Sequence, residues 1–142
     1  MRGRTLKLFG AIALGLLLSL AAGACARTQT AAPQQRGPRP SSSGTLAIAA
    51  PQIGQEIPAG EKFRVVLTLS GARIVEQTST RVVPDEGHIH ITLDGQLITM
   101  TSALEQDIIV PAGAHVLEAE FVAADHFPFN PRVIAIAAFK GR

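Results

Sequence analysis

From residue 45 onward, apolar side chains recur at every second position in short runs. Prolines, glycines and aspartates stand between the runs. This is the period of a strand with one buried face. The clearest run is Gly87-His88-Ile89-His90-Ile91-Thr92-Leu93, in which Ile89, Ile91 and Leu93 alternate with His88, His90 and Thr92. Asp94-Gly95 then closes the strand, because Asp-Gly accepts the positive φ values of a two-residue hairpin turn. Thr45 to Ala49 predicts a short first strand. Phe63, Val65, Leu67 and Leu69 alternate with Arg64, Val66 and Thr68 in a second. Further strands are predicted at Leu97 to Met100, Leu104 to Val110, Ala114 to Ala123 and Val133 to Phe139. Ile74-Val75 and Arg81-Val82-Val83 read as short strand pieces around a polar loop. Asp125 to Pro131 reads as a loop whose two prolines exclude helix. No segment after residue 45 shows a helical period. About seven strands with a turn every ten or so residues predict an immunoglobulin- or fibronectin-III-like β-sandwich. Ile57-Pro58-Ala59-Gly60 and Val110-Pro111-Ala112-Gly113 reuse one turn before a strand, and two copies do not make a repeat architecture.

The chain before residue 45 follows a different pattern. Arg2, Arg4 and Lys7 precede an apolar run from Leu8 to Ala22, and Ala22-Gly23-Ala24 supplies small residues for cleavage. Residues 1–24 are read as a secretory signal peptide, too short for a stable membrane span. Cys25 follows and is the only cysteine of the chain. Residues 25–44 are rich in Pro, Ser, Thr, Gln and Ala, a composition that cannot offset its ordering entropy, so a disordered tether is expected there. From Arg27 to Gly44 such a tether would span roughly 20–25 Å. Residues 45–142 form the single domain, large enough for one core.

Charge is divided along the same boundary. The chain has thirteen basic and eleven acidic residues. All eleven acids lie in 45–142, against seven basic residues, so the domain carries a net charge of −4 with histidine neutral. An acidic domain is a poor nucleic-acid partner. A basic leader and tether are attracted to anionic lipid. The chain has neither Trp nor Tyr, which disfavours carbohydrate stacking. It also lacks a Gly-x-Ser-x-Gly elbow, a phosphate loop, a His-Glu-x-x-His pair and a cysteine in the domain to act as nucleophile, so it is read as non-enzymatic.

The candidate chemistry lies on the histidine strand. Antiparallel pairing with the 114–123 strand would bring His88 and His90 toward Glu120, Val122 and His126, all on the outer face. His88, His90, His126 and Glu120 are therefore a candidate nitrogen and oxygen set for copper or zinc. The alternative is a solvated or protein-contacting histidine face. With a two-residue turn pairing Leu93 with Gln96, Met100 falls opposite Ile89, on the core side. A three-residue loop would set it opposite His90. His115 shares a face with Leu117, Ala119 and Phe121 and reads as a buried-edge histidine bonded to a turn. Asp125 is expected to organise its own loop through backbone N–H groups. Phe127 and Phe129 either plug the end of the sandwich or form an exposed contact for a partner.

Two resemblances follow from these motifs. Ala22-Gly23-Ala24-Cys25 resembles the lipobox of bacterial lipoproteins, which implies lipidation of Cys25 and stable anchoring by several acyl chains. The same small residues suit ordinary signal peptidase, which would release a soluble protein. Lipidation also accounts for a lone thiol on an exported chain. Gly87-His88-Ile89-His90 with Asp94-Gly95, then Pro111-x-Gly113-x-His115-x-Leu117, then Asp125-His126-x-Pro128 resemble small exported bacterial Ig-like domains of unassigned function, similar to the DUF4399 group. The likeness covers roughly residues 55–140. It implies an extracytoplasmic all-β module, sometimes suspected of metal handling, and no particular reaction. The resulting expectation is a lipid-anchored protein-contact module, such as an accessory subunit of an envelope complex. The alternative is a copper or zinc protein built on the His-x-His strand.

Overall fold

A computed structural model describes residues 38–142. The leader, Cys25 and the tether up to residue 37 lie outside the described residues. Nine strands are present: β1 (Thr45–Ala50), β2 (Glu56–Ile57), β3 (Lys62–Ser70), β4 (Arg73–Ile74), β5 (Glu86–Leu93), β6 (Gln96–Thr101), β7 (Glu105–Ile109), β8 (Gly113–Ala123) and β9 (Pro128–Gly141). One sheet has the order β1-β3-β7, and the other runs β2-β9-β8-β5-β4, with β6 also paired to β5. This is an immunoglobulin- or fibronectin-III-like sandwich in which the expected strands are joined by the short β2, while β4 overlaps the strand piece expected at Ile74-Val75.

Period-two patterning places the core. Leu46, Val65, Leu67 and Ile108 from the smaller sheet meet Ile89, Ile91, Leu117, Ala119, Phe121 and Phe139 from the larger one. Alternation holds along β8, where His115, Leu117, Ala119 and Phe121 point inward. Phe129 stacks on Phe121 with ring centroids 5.4 Å apart, and both are fully buried. Phe129 therefore belongs to the core, which corrects its reading as a binding residue. The plug reading holds for this ring. Phe127 is partly exposed and lies beneath the Arg39 guanidinium, 5.9 Å from its ring centre.

Three segments depart from the sequence reading. Pro128 to Pro131 is the beginning of β9, not loop, so the β8–β9 connection is reduced to a tight hairpin. Arg81 to Val83 forms no strand, and Arg73–Ile74 alone pairs, in parallel, with Glu86 and Gly87. The ordered chain also starts before residue 45. Arg39 forms a bidentate ion pair with Asp125, at 2.6 and 2.8 Å, and donates to the carbonyls of Pro128 and Phe127. Asn130 donates its N–H to the Pro40 carbonyl. The Ser42 hydroxyl and the Ser43 N–H donate to Asp85. The boundary set by composition at 44/45 thus falls inside hydrogen-bonded structure. Bonding composition cannot report, since it depends on where Asp85 and Asp125 lie in space.

The β5–β6 hairpin decides what the histidine face carries. Asp94 and Gly95 have φ of 51° and 80°, and Leu93 pairs with Gln96 as expected for a two-residue turn. The register then slips between Ile91 and Thr92. Thr92 faces Leu97, but Ile91 faces Thr99, so Ile98 is an extra residue on β6. A bulge of this kind inverts the parity of every later pair. Met100 consequently faces His90, not Ile89. It is 56% exposed, which corrects its placement on the core side.

Candidate functional site: a stacked histidine cluster

β5 supplies His88 and His90, and β8 is its antiparallel neighbour, with His88 opposite Val122 and His90 opposite Glu120. His126 arrives from the β8–β9 hairpin. In that hairpin the His126 N–H donates to the Ala123 carbonyl and the Ala123 N–H donates to the Phe127 carbonyl. This is a three-residue loop whose last residue takes the left-handed conformation, a position that favours glycine. His126 occupies it with φ 61°. The left-handed twist turns the imidazole back over β5.

The three rings form a stack. His88 and His126 have centroids 4.5 Å apart and planes within 10°. His90 and His126 are 5.5 Å apart and within 20°. His90 Nε2 and His126 Nδ1 lie 3.2 Å apart, and His126 Nε2 lies 2.8 Å from the Thr78 hydroxyl. His88 is only 4% exposed, and its Nε2 has no hydrogen-bond partner. The carbonyls of Ala124 and Val75 lie close enough to favour the charged ring slightly, without completing a bond to that nitrogen. A simple solvated histidine face is therefore not what forms. The Val75–Ser79 segment and the hairpin cover it, and the Val75 and Ser79 N–H groups bond to Gly87 and Ala124.

Burial pushes the His88 imidazole below its usual range, and the nearby His126 adds to the effect. Burial lowers His90 as well, helped by His126 and His88 and opposed by Glu120. The cause is the loss of solvation that a charged ring would suffer. Burial therefore favours the neutral form of His88 and His90.

Glu120 is occupied elsewhere. It accepts two hydrogen bonds from Arg132, at 2.7 and 2.8 Å, while Arg132 also donates to Glu118 at 2.9 Å. These carboxylates raise the Arg132 pKa further. Glu120 is therefore removed from the expected metal set. Among the described residues no group of three His, Cys, Asp or Glu side chains is arranged to hold a metal ion. The stacking explains this for His88 and His126, because ligand lone pairs lie in the ring plane and rings face to face at 4.5 Å do not aim them at one point.

His115 fills the role expected for it. Its Nδ1 lies 2.7 Å from Asp94 Oδ2 and its Nε2 lies 3.0 Å from the Pro111 carbonyl. Asp94 also accepts the Val116 N–H at 2.8 Å. The bond from His115 holds the Asp94 carboxyl below the usual carboxylate range. One histidine thus ties the β5–β6 turn to the turn before β8. Asp125 accepts the Phe127 N–H within its loop, as expected, but its main partner is Arg39. That guanidinium lowers the Asp125 carboxyl.

The sequence offers Met100 as a candidate soft ligand for copper but sets it aside on the core side; nothing in the sequence singles out Thr78, Arg132 or Arg39 as functional. A small cavity of about 170 Å³ opens beside the stack, lined by Glu76, Thr78, His88, Met100, Thr101, Ser102 and His126. The outer face of the same sheet carries a second feature. Val116, Ile134 and Ile136 are 46%, 40% and 51% exposed. Glu118 faces Ile136 and Glu120 faces Ile134, so the two isoleucines sit side by side along β9 with Val116 diagonal to Ile136.

No protein-family model matches the chain. No curated protein matches it either. Among solved structures, the fibronectin(III)-like modules of Clostridium thermocellum CbhA are similar at 19% identity, covering 68% of this chain and 94% of that chain, with a TM-score of 0.48. A likeness that distant carries no argument about function.

Proposed function

We propose that this chain is a non-enzymatic, lipid-anchored, extracytoplasmic Ig-like module that docks another envelope protein, as an accessory subunit. Small sandwiches of this class are generally structural or adhesive, not catalytic. The leader-like first residues and Cys25 support export and anchoring, and the DUF4399-like motifs support the same compartment.

The observation that carries the contact reading is the Val116–Ile134–Ile136 stripe. Three branched apolar side chains stand in contact with water on a regular sheet face, flanked by the Arg132–Glu118–Glu120 network. Contiguous exposed apolar surface rimmed by charge marks protein contact sites. A photo-crosslinker at position 134 or 136 tests this in cells that express the protein naturally. A discrete adduct is expected from both positions and not from position 64, in the solvated Arg64–Asp107 pair of the opposite sheet. Loss of the adduct on Val116→Ser supports the stripe as the contact. Equal labelling from position 64, or no adduct from either stripe position, refutes it.

A further inference from the structure

The register slip in β6 places a thioether on the imidazole face. We infer that His90 Nε2, His126 Nδ1 and the Met100 sulfur form a binding site for monovalent copper.

Two observations lead to it. The first is spacing. His90 Nε2 and His126 Nδ1 are 3.2 Å apart. Two nitrogens bound to one metal at about 2.0 Å, the usual imidazole distance, lie roughly 3.3 Å apart at a tetrahedral angle. The pair already stands at ligand separation; in the free protein the two nitrogens share a hydrogen bond, and both rings must rotate out of it to turn their lone pairs toward one ion. The second is Met100. It faces His90 across the β5–β6 ladder, where directly opposed side chains have Cβ atoms about 5 Å apart. It also lines the cavity that His126 and His88 line. An unbranched side chain with three rotatable bonds can bring its sulfur to the imidazoles.

The donor set selects the ion. Thioether sulfur is soft and favours Cu(I). All three donors are neutral, and Glu120 is neutralised by Arg132. A divalent ion in this part-buried pocket would find only Glu76, at the exposed rim, to offset its desolvation, whereas a single positive charge costs far less to bring in. Glu76, at the cavity rim, is exposed and solvated.

The proton balance is simple. The Thr78 hydroxyl can accept from His126 Nε2–H, which leaves Nδ1 as the lone-pair nitrogen. His90 then donates Nε2–H to that lone pair in the free protein. On binding, His90 changes tautomer by exchange with solvent, its proton passing from Nε2 to its own Nδ1, and copper is held by the free lone pairs of His90 Nε2 and His126 Nδ1. No proton is lost and no electron is transferred.

The test uses the full chain with Cu(I) held by a chromophoric chelator under ascorbate, and reads transfer of copper from chelator to protein. One equivalent is expected to transfer, with a shift of the Met100 methyl resonance. Met100→Leu keeps the shape of an exposed side chain and is expected to weaken Cu(I) binding at least tenfold while leaving Zn(II) behaviour unchanged. His126→Gly, which suits the left-handed position, is expected to abolish binding in a protein that still folds. No transfer from the chelator, or Met100→Leu binding Cu(I) as tightly as the original chain, overturns the inference.

Discussion

Gly87 pairs with Ala123 where β5 begins beside the end of β8, and replacing it with alanine is the sharpest test of the register described above. A Cβ built on Gly87 would lie 1.8 Å from the Val122 carbonyl oxygen, 2.8 Å from the carbonyl carbon and 3.2 Å from Ala123 Cα. All three are backbone atoms of the facing strand, so no side chain can swing aside. Ordinary contact begins near 3.4 Å, so the strands must part by more than an ångström at the Gly87–Ala123 pair. Overpacking of this kind costs about 1–3 kcal/mol. Each ladder hydrogen bond lost as the end of β5 lifts adds about 1 kcal/mol. The sum is roughly 2–4 kcal/mol. At about 4–8 °C per kcal/mol for a domain of this size, the melting temperature should fall by roughly 8–32 °C. Gly60→Ala is the control. Gly60 has φ +76° and open space around it, so its substitution carries only the left-handed strain of about 1–2 kcal/mol. Urea and thermal unfolding followed by circular dichroism would compare the two. Gly87→Ala within 1 kcal/mol of the original chain, or no worse than Gly60→Ala, would refute the close approach and with it the position of His88 beside the hairpin.

Three further outcomes follow from the same geometry. Because burial lowers the folded-state pKa of His88 and His90, their contribution to stability is fully present above the unfolded histidine value of about 6.5 and is lost as pH falls through the lower folded values. Unfolding midpoints measured from pH 7.5 to 4.5 should therefore drop on acidification, and His88→Gln should flatten the drop; an unchanged slope would count against burial as its cause. Arg39→Ala should cost about 1 kcal/mol, since the Asp125 pair is bidentate but still partly hydrated, and should speed amide exchange at Phe127 and Asn130. Exchange rates identical to the original would show that residues 38–44 do not hold the hairpin. Phe129→Ala should cost about 3–5 kcal/mol through a cavity against Phe121, a loss that equilibrium unfolding would show directly, whereas Phe127→Ala should stay near 1 kcal/mol.

Local rules account for most of the architecture. Alternation in 63–69, 87–93 and 115–121 is enough to say strand, and which of its faces is inward, because a side chain's direction in a strand depends only on parity. Asp94-Gly95 made its turn, since the conformational demand there is met by the two residues themselves. His115 could be read as tying a turn because its apolar face companions could only be core. The same rules failed at Pro128 to Pro131. Prolines mark loops on average, but they are tolerated in a strand wherever the missing N–H faces no ladder partner.

What the amino-acid sequence determined alone was an all-strand domain, its buried face and the presence of two imidazoles on the opposite one, because each follows from neighbours one or two positions away. The tertiary structure decided everything that depends on separations along the chain of ten residues or more. A single extra residue at Ile98 moved Met100 from the expected core side to the histidine face. A left-handed residue at 126 folded a loop imidazole onto β5, and Arg132 engaged both oxygens of Glu120. Periodicity carries no signal for a bulge until the partner strand is in place, and composition carries none for which charge an arginine will meet.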